Sequence, residues 1–316
     1  MMDVFLDSGA FSVWKKGMSV NIQDYIDFIH KYKHLINVYA NLDDMNSPDK
    51  TWENQREMER QGLNPLPVYH IGEPYKYFKM ALEYEYFAVG GVVFKGRGVL
   101  YRGLVDIFST VCPASNNFMP THKVHGFALT SPILAVTFPW YSVDSTSWVL
   151  YGKYGVILIP AELKNYGTVP YTIFVSTRSK AQSFADAHIN TVSDMERDSV
   201  LDYVHRKGFQ MGESEFFTAE NGYTLQDNEY WVDRKNKKAE RVIVPGLSND
   251  HKIRDQFNLM YYLELEKSIP PWPWAWESKA MKSFFDSRQL LGDESGRGGE
   301  NKSLFDSFGD LFGEAI

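Results

Sequence analysis

The sequence has almost no cysteine, since Cys112 is the single thiol among 316 residues. One cysteine cannot close a disulfide within the chain, and it cannot supply the several thiolates of the common structural zinc sites. Long apolar runs are also missing, because none approaches the roughly 20 residues of a membrane-spanning helix. No charged-then-apolar leader is recognisable. We therefore expect a soluble protein of a reducing cytoplasm, with no membrane segment.

An excess of positive charge is missing as well. The 33 lysines and arginines are outnumbered by 40 aspartates and glutamates, which gives a net charge of −7. Because proteins that hold nucleic acid by bulk charge are normally basic, any such binding must use local patches. The candidate patches are Lys95, Arg97 and Arg102; Arg178 and Lys180; and Arg234, Lys235, Lys237 and Lys238. Each is also compatible with a solvated turn.

A glycine-rich phosphate-binding fingerprint is absent after the first predicted strand, which argues against a dinucleotide-binding doubly wound sheet. Strand and helix patterns instead alternate six times. The predicted strands cover residues 4–6, 37–42, 66–70, 86–89, 123–129 and 138–143. Polar or glycine residues follow most of these strands, whereas a doubly wound sheet would place its functional residues at a single switch point. This alternation predicts an α/β protein with a parallel sheet, and the strand ends favour a TIM-like (β/α)8 barrel.

The alternation fades after Trp148. Residues 156–160 and 171–175 are strand-like and could either complete the barrel or form a flanking hairpin. Residues 229–232 and 240–244 predict a pair of strands, and 194–207 and 253–269 predict helices. We divide the chain into a barrel over 1–291, with insertions at about 156–250 and a returning helix at 253–269, and a flexible linker and tail over 292–316.

Two carboxylates directly follow predicted strands. Asp7 follows the first strand, and Asp144 follows the sixth strand and precedes small hydroxyl residues that begin a helix. Barrel enzymes carry their catalytic residues at these strand ends, so the two acids predict an acid/base or nucleophile pair. Aspartate before a helix is also an ordinary N-cap, and each residue alone is compatible with that role.

Short motifs follow several of the predicted strands, and they are Asp7-Ser8-Gly9-Ala10-Phe11, Asn41-Leu42-Asp43-Asp44, Gly90-Gly91-Val92 and Val143-Asp144-Ser145-Thr146, with a return at residues 255–263. Taken in order, these motifs resemble those of the tRNA-guanine transglycosylase family. They are most similar to the motifs of its phage-type members, which insert 7-deazaguanines into DNA. The resemblance implies that Asp144 is the nucleophile and that Asp7 is the general acid/base.

The resemblance also implies a substrate-binding set. It consists of Ser8, Gly9, Asp43, Asp44, His70, Gly90, Gly91, Val92 and Phe127. Asp43 would accept hydrogen bonds from the N1 and amino groups of guanine, two donors that one carboxylate can bind side by side. Asp44 could exchange roles with Asp43, and Asp43 could instead cap the next helix. His70 approximately replaces a family glutamine, and Phe127 would stack on the base or belong to the core.

The bacterial tRNA enzymes of this family hold zinc with three cysteines and one histidine. Phe257 stands where that histidine would precede Asn258-Leu259, and the chain has one cysteine. We therefore expect no zinc and no other cofactor, with aromatic packing in place of the metal.

The expected activity is the exchange of guanine in DNA for a 7-deazaguanine such as preQ0 through a covalent aspartyl-glycosyl intermediate. It would serve phage DNA modification and restriction evasion in a bacterial host cytoplasm. The alternatives are a tRNA substrate, or a non-catalytic relative that binds DNA or a clamp. The tail resembles sliding-clamp-binding peptides, with Leu304, Phe305 and Phe308 as anchors, and it could also fold back on the protein's own surface.

Overall fold

The structure is a computed structural model that describes residues 4–91, 97–129, 131–160, 170–178 and 185–276. Within these ranges the chain divides into two compact units. The first comprises residues 4–129, 137–144 and 271–276, and the second comprises residues 131–136 and 145–270.

The helices and strands of the described chain occur in the following order. They are β1 (Phe5–Leu6), α1 (Ala10–Lys15), α2 (Ile22–Tyr32), β2 (Val38–Tyr39), α3 (Pro48–Arg60), β3 (Val68–His70), α4 (Tyr75–Ala81), β4 (Tyr86–Gly90), α5 (Arg97–Val111), β5 (Lys123–Gly126), α6 (Pro132–Thr137), β6 (Ser142–Val143), α7 (Ser147–Lys153), β7 (Val156–Ile159), β8 (Tyr171–Phe174), β9 (Ala187–His188), α8 (Asp194–Arg206), β10 (Glu213–Thr218), β11 (Glu229–Asp233), β12 (Lys238–Val244) and α9 (His251–Ser268).

The strands of the first unit are parallel and follow one another in sequence order. β1 pairs with β2, and β3 to β6 form a four-stranded sheet. A parallel bridge between Ala40 and Leu66 joins the two groups. The predicted α/β organisation with a parallel sheet is confirmed. Because all six strands run the same way, the residues that follow them lie along one edge of the sheet.

This parallel sheet is strongly curved. The rings of Phe5 on β1 and His125 on β5 stack with centroids 4.4 Å apart and planes 19° apart. In a flat sheet, strands four places apart would be separated by about 19 Å. The sheet therefore curves so that β1 lies near β5 on its concave side. Phe127 packs edge-on against the rings of both Phe5 and His125. Among the described residues the ladder ends at β1 and at β6, without a closed barrel.

Helices α2 and α3 cover the first strands. The Asn21 side chain begins α2 by accepting hydrogen bonds from the next backbone N–H groups, and Ser47 does the same for α3. Helix α2 buries Tyr25, Ile26 and Ile29 in one cluster with Leu42, Met58 and Leu63. These contacts hold the segment between β2 and α3, which carries Asp43.

The second unit contains two further sheets. β7 pairs antiparallel with β8, which pairs parallel with β9. This antiparallel pairing is the one that the flanking-hairpin interpretation requires, whereas strands of a (β/α)8 barrel run parallel. The predicted pair at residues 229–232 and 240–244 is confirmed as β11 and β12, and the pattern missed β10, which adds to β12. No helix in the described parts of the chain is long and apolar enough to cross a membrane.

Candidate active site

A cavity of about 110 Å³ opens at the carboxyl ends of the parallel strands in the first unit. Its lining residues are Asp7, Phe11, Asp43, Met45, His70, Gly90, Gly91, Phe127, Ala128 and Asp144. The cavity is small beside the roughly 300–1,000 Å³ of pockets that enclose drug-sized ligands, so it suits one planar group. The carboxylates of Asp7, Asp43 and Asp144 thus face one cavity, although Asp7 and Asp144 are 137 residues apart in the sequence.

Asp7 directly follows β1, and its side chain remains open to solvent at the cavity. The surrounding protein raises the pKa of its carboxyl group, first by desolvation and then through the negative charges of Asp43 and Asp144. Backbone hydrogen bonds from Ser8 and Gly9 lower the pKa in part. A carboxyl group that retains its proton to higher pH is suited to general acid catalysis.

Asp43 belongs to a chain of three ionisable side chains. Its Oδ1 accepts a hydrogen bond of 3.0 Å from the Ser8 hydroxyl, and its Oδ2 lies 3.0 Å from Nε2 of His70. The other ring nitrogen of His70 lies 2.9 Å from Oε1 of Glu73. All three acid and imidazole side chains are 11–12% exposed.

The charge state of His70 follows from these partners. Burial alone would lower the pKa of His70, but the hydrogen bonds and charges of Asp43 and Glu73 raise it to about 9. His70 is therefore an imidazolium at neutral pH, donating from both nitrogens. Both ring nitrogens are engaged, so His70 orients Asp43 and presents no free nitrogen to a substrate. A side chain that replaced the glutamine of the resembled family directly would contact the substrate itself.

Gly90 and Gly91 are required by the same histidine. A Cβ atom at Gly90 would lie 2.6 Å from Cδ2 of His70, and one at Gly91 would lie 3.2 Å from Cβ of His70. Gly91 also has a φ of 74°, in the left-handed region. The motif resemblance implies that these glycines bind the substrate, and glycine allows a flat ligand to approach the backbone closely. The structure adds a second reason, because the His70 ring already occupies the space beside Gly90.

Asp144 directly follows β6, and its side chain is 49% exposed. Its Oδ1 accepts a hydrogen bond of 2.8 Å from the backbone N–H of Ala128. Ala128 has a φ of 50°, which a residue with a side chain adopts at a cost of about 1–2 kcal/mol. That strained turn directs the N–H to the carboxylate. The Oδ2 atom accepts no hydrogen bond from the described residues, which leaves it accessible from the cavity.

The remaining predicted substrate-binding residues have different surroundings. The carboxylate of Asp44 accepts the backbone N–H groups of Asn46 and Ser47, so it organises the turn before α3 and does not line the cavity. Ser8 is buried and holds Asp43, while Gly9 precedes α1 with a φ of 70°. Phe127 lines the cavity and also packs on Phe5.

Among the described residues of the basic patches, none lines this cavity. Arg102 is exposed on α5 and lines a separate cavity of about 350 Å³. In the second unit, Arg178 binds Glu240 at 2.7 Å and covers the ring of Tyr230. Arg234 and Lys235 are exposed in the turn between β11 and β12. Val92, Lys95, Lys180, the side chain of Arg97 and the tail with Leu304, Phe305 and Phe308 lie outside the described residues.

Sequence reasoning missed four residues that shape the site. Phe11 and Met45 line the cavity, Ala128 binds Asp144, and His125 lies 3.4 Å from Asp144 beneath the cavity floor. Phe11 was visible as the last residue of the first motif. The others carry no sequence signal, because their roles depend on the bend after β5 and on the curvature of the sheet.

In the described parts of the chain, no three histidine, cysteine, aspartate or glutamate side chains are arranged to hold a metal ion. Phe257 is buried in the second unit and packs edge-on against Tyr203 and Phe209. Tyr261 and Tyr262 pack edge-on with ring centroids 5.4 Å apart. These contacts are compatible with the aromatic packing predicted around Asn258.

No protein-family profile, curated protein or solved structure matches the chain. The resemblance to the transglycosylases therefore remains a prediction from short motifs.

Proposed function

We propose that the protein is a DNA-guanine transglycosylase, which exchanges guanine for a 7-deazaguanine base such as preQ0. The observation that carries the proposal is the shared cavity of Asp7, Asp43 and Asp144, in which one carboxyl group has a raised pKa and another has an open oxygen. We also propose that the curved sheet belongs to a (β/α)8 barrel. The choice of DNA rests on the motif resemblance.

In the first step Oδ2 of Asp144 attacks C1′ of the target nucleoside. The C1′–N9 bond breaks, its electron pair passes to the guanine, and Asp7 donates a proton to the departing base. In the second step the incoming base gives a proton to Asp7 and its nitrogen attacks C1′. As the new bond to C1′ forms, the ester bond to Asp144 breaks, and its electron pair returns to the carboxylate. For this exchange the target base must leave the DNA stack or lie in a single strand.

Asp43 would recognise the base. Its two oxygens already bind Ser8 and His70, but a carboxylate offers about four acceptor positions, so each oxygen can accept one further N–H. These acceptors fit the N1–H and amino donors of guanine. Phe11 and Phe127 provide apolar walls, and the Gly90–Gly91 backbone lies against the same cavity.

The test is incorporation of labelled guanine or preQ0 into DNA and, separately, into tRNA. We expect incorporation into DNA and a protein–DNA adduct that survives a denaturing gel. Asp144→Asn should abolish both, whereas Asp24→Asn, at an exposed carboxylate on α2, should retain both. Incorporation into tRNA alone would overturn the DNA proposal. Base exchange by Asp144→Asn would overturn the mechanism.

Adjacent carboxylates provide a matched comparison for base recognition. Asp43→Asn replaces one acceptor with a donor and should raise the KM for the base. Asp44→Asn keeps an oxygen for the N–H groups of Asn46 and Ser47, and it should bind the base as the unmodified protein does. The reverse result would assign the recognition role to Asp44.

A further inference from the structure

A line of three polar side chains leads through the first unit to Asp144. The hydroxyl groups of Tyr86 on β4 and Ser142 on β6 are 2.8 Å apart. The Ser142 hydroxyl is also 2.8 Å from Nδ1 of His125 on β5. The opposite ring atom, Nε2, lies 3.4 Å from Oδ1 of Asp144. The histidine thus connects a half-buried hydroxyl pair with the proposed nucleophile.

His125 is fixed tightly in this position. Its side chain is 3% exposed, Phe5 stacks on one ring face at 4.4 Å, and Phe127 meets the ring edge-on at 4.6 Å. Its Nε2 atom has no hydrogen-bond partner among the described residues, because the approach to Asp144 does not have hydrogen-bond geometry. Buried polar atoms are rarely left unpaired, since each costs about 1–3 kcal/mol. The unpaired atom faces the carboxylate.

The hydroxyl pair determines which nitrogen carries the proton. Burial raises the pKa of Tyr86, with a smaller opposite effect of the Ser142 hydrogen bond, so the phenol keeps its proton and can donate it to Ser142. Ser142 then donates its single proton to Nδ1, and the imidazole proton lies on Nε2. The alternative arrangement would direct a bare nitrogen lone pair at the Asp144 oxygen, which is electrostatically unfavourable.

We propose that His125 is a positioning residue for Asp144, donating from Nε2–H to Oδ1 once a nucleoside closes the cavity. This inference rests on the proposed role of Asp144 as nucleophile. Hydrogen bonds at catalytic sites are often long before the substrate binds and shorten in the complex. Together with the Ala128 N–H, the histidine holds Oδ1 and directs Oδ2 at C1′.

The second donor matters most when the covalent intermediate breaks down. In the intermediate Oδ1 is the carbonyl oxygen of an ester. As the bond between Oδ2 and C1′ breaks, the electron pair returns to the carboxylate and negative charge develops on both oxygens. A donor at Oδ1 stabilises that charge. Removing it should slow release of the DNA more than formation of the adduct.

Two amide substitutions test the roles of Nδ1 and Nε2 of His125 separately. The amide oxygen of Asn can lie near Nδ1 and accept from Ser142, and the amide nitrogen of Gln can lie near Nε2 and donate to Asp144. His125→Asn should therefore keep a group for Ser142 but lose the donor to Asp144. We expect its exchange rate to fall by about tenfold or more, as for loss of a hydrogen bond to a charged group. We also expect the steady-state fraction of protein in the denaturing-gel adduct to rise. His125→Gln should restore much of the rate.

His122→Asn, on a histidine that does not line the cavity, serves as the control and should exchange bases at the unmodified rate. A general loss of folding would lower adduct formation and exchange together, so it cannot produce an adduct that accumulates. Equal rates for His125→Asn and the unmodified protein would overturn the inference while leaving the transglycosylase proposal intact.

A second measurement does not depend on activity. Nitrogen-15 NMR of the histidine-labelled protein should show a proton on Nε2 of His125, whose signals are assigned by their absence in His125→Gln. An Nε2 atom without a proton would overturn the inference. If the unmodified protein exchanged no base with any polymer, the proposed function would fail, and this spectrum would still decide the arrangement of His125.

Discussion

His70 holds Asp43 by a charged hydrogen bond, with Nε2 of the imidazole 3.0 Å from Oδ2 of the carboxylate. Because Glu73 binds the other ring nitrogen, the histidine cannot turn away without losing both partners. The proposed base-reading carboxylate is thereby fixed before any ligand enters. Such preorganisation reduces the conformational entropy that is lost when a ligand binds.

The charge on His70 predicts a loss of stability in alkaline solution. Its folded pKa is about 9, above the ordinary 6.5, so the folded protein binds the proton more tightly than the unfolded chain. The resulting stabilisation is complete below pH 6.5 and is lost as the pH rises through 9. Its full size is about 3 kcal/mol.

Urea denaturation at about pH 6 and about pH 10 measures this change. The decrease in the free energy of unfolding should be smaller in His70→Gln than in the unmodified protein, because the amide does not titrate. Subtracting the decrease measured for His70→Gln from that of the unmodified protein removes the contribution of other titrating groups. Equal decreases would show that His70 carries no stabilising charge.

The raised pKa of Asp7 predicts that its negative charge destabilises the folded protein at neutral pH. Its folded pKa is raised from 3.8 by desolvation and by Asp43 and Asp144, so folding favours the protonated form. The stabilisation by this proton is present below pH 3.8 and is lost as the pH rises through the folded pKa. At neutral pH the ionised group therefore opposes folding.

Asp7→Asn should raise the free energy of unfolding at neutral pH and abolish base exchange. This trade between stability and activity is common where function needs an unfavourable charge. Asp49→Asn is the control with the opposite sign, because a hydrogen bond from Tyr77 lowers the pKa of the exposed Asp49. Chemical denaturation at neutral pH compares the two. A less stable Asp7→Asn would contradict the electrostatic account.

The grouping of the carboxylates was predictable, and their surroundings were not. Asp7, Asp43 and Asp144 each follow an apolar strand, and parallel strands end at one edge of a sheet. The contact between His125 and Asp144 depends on curvature that brings Phe5 across the sheet, and strand patterns do not encode curvature.

Backbone strain and packing around single atoms were equally hidden from the sequence. Ala128 adopts a left-handed φ although alanine gives no local signal for it. Gly90 suggested close approach of a ligand, whereas its nearest constraint is the ring of His70. In the second unit β10 was missed because its six residues include polar side chains on both faces, and pairing with β12 supplies its order.

Gly90→Ala should disturb the site through His70. The new Cβ would lie 2.6 Å from Cδ2 and 3.0 Å from Nε2, so the ring must move away from Asp43. Such overpacking costs about 1–3 kcal/mol. We expect a lower free energy of unfolding and a higher KM for the base, measured by denaturation and by exchange kinetics.

Gly98→Ala is the matched control for this substitution. Gly98 lies in α5, and an added Cβ would meet no atom of the described residues within 4 Å. Alanine is favoured over glycine in a helix by up to about 1 kcal/mol, so the free energy of unfolding should stay constant or rise. If Gly90→Ala were as stable as this control, the His70 ring would have room that the structure does not show.

Asn258 predicts where the second unit is most sensitive to substitution. Its Oδ1 accepts the backbone N–H of Leu158 at 2.9 Å, and its Nδ2 donates to the carbonyl of Val156 at 3.0 Å. Both groups belong to β7, which is an edge strand among the described residues. The side-chain amide therefore takes the place of a neighbouring strand and joins α9 to the sheet.

Asn258→Leu keeps nearly the same volume but leaves the N–H of Leu158 and the carbonyl of Val156 buried without partners. Each unpaired group costs about 1–3 kcal/mol, so the free energy of unfolding should fall by about 2–6 kcal/mol. Leu259→Gln changes the next residue, which is 38% exposed, and should alter stability by less than about 0.5 kcal/mol. Urea denaturation of both variants measures the contrast. Similar values for the two would mean that the edge of β7 finds other partners, and that Asn258 does not hold α9 to the sheet.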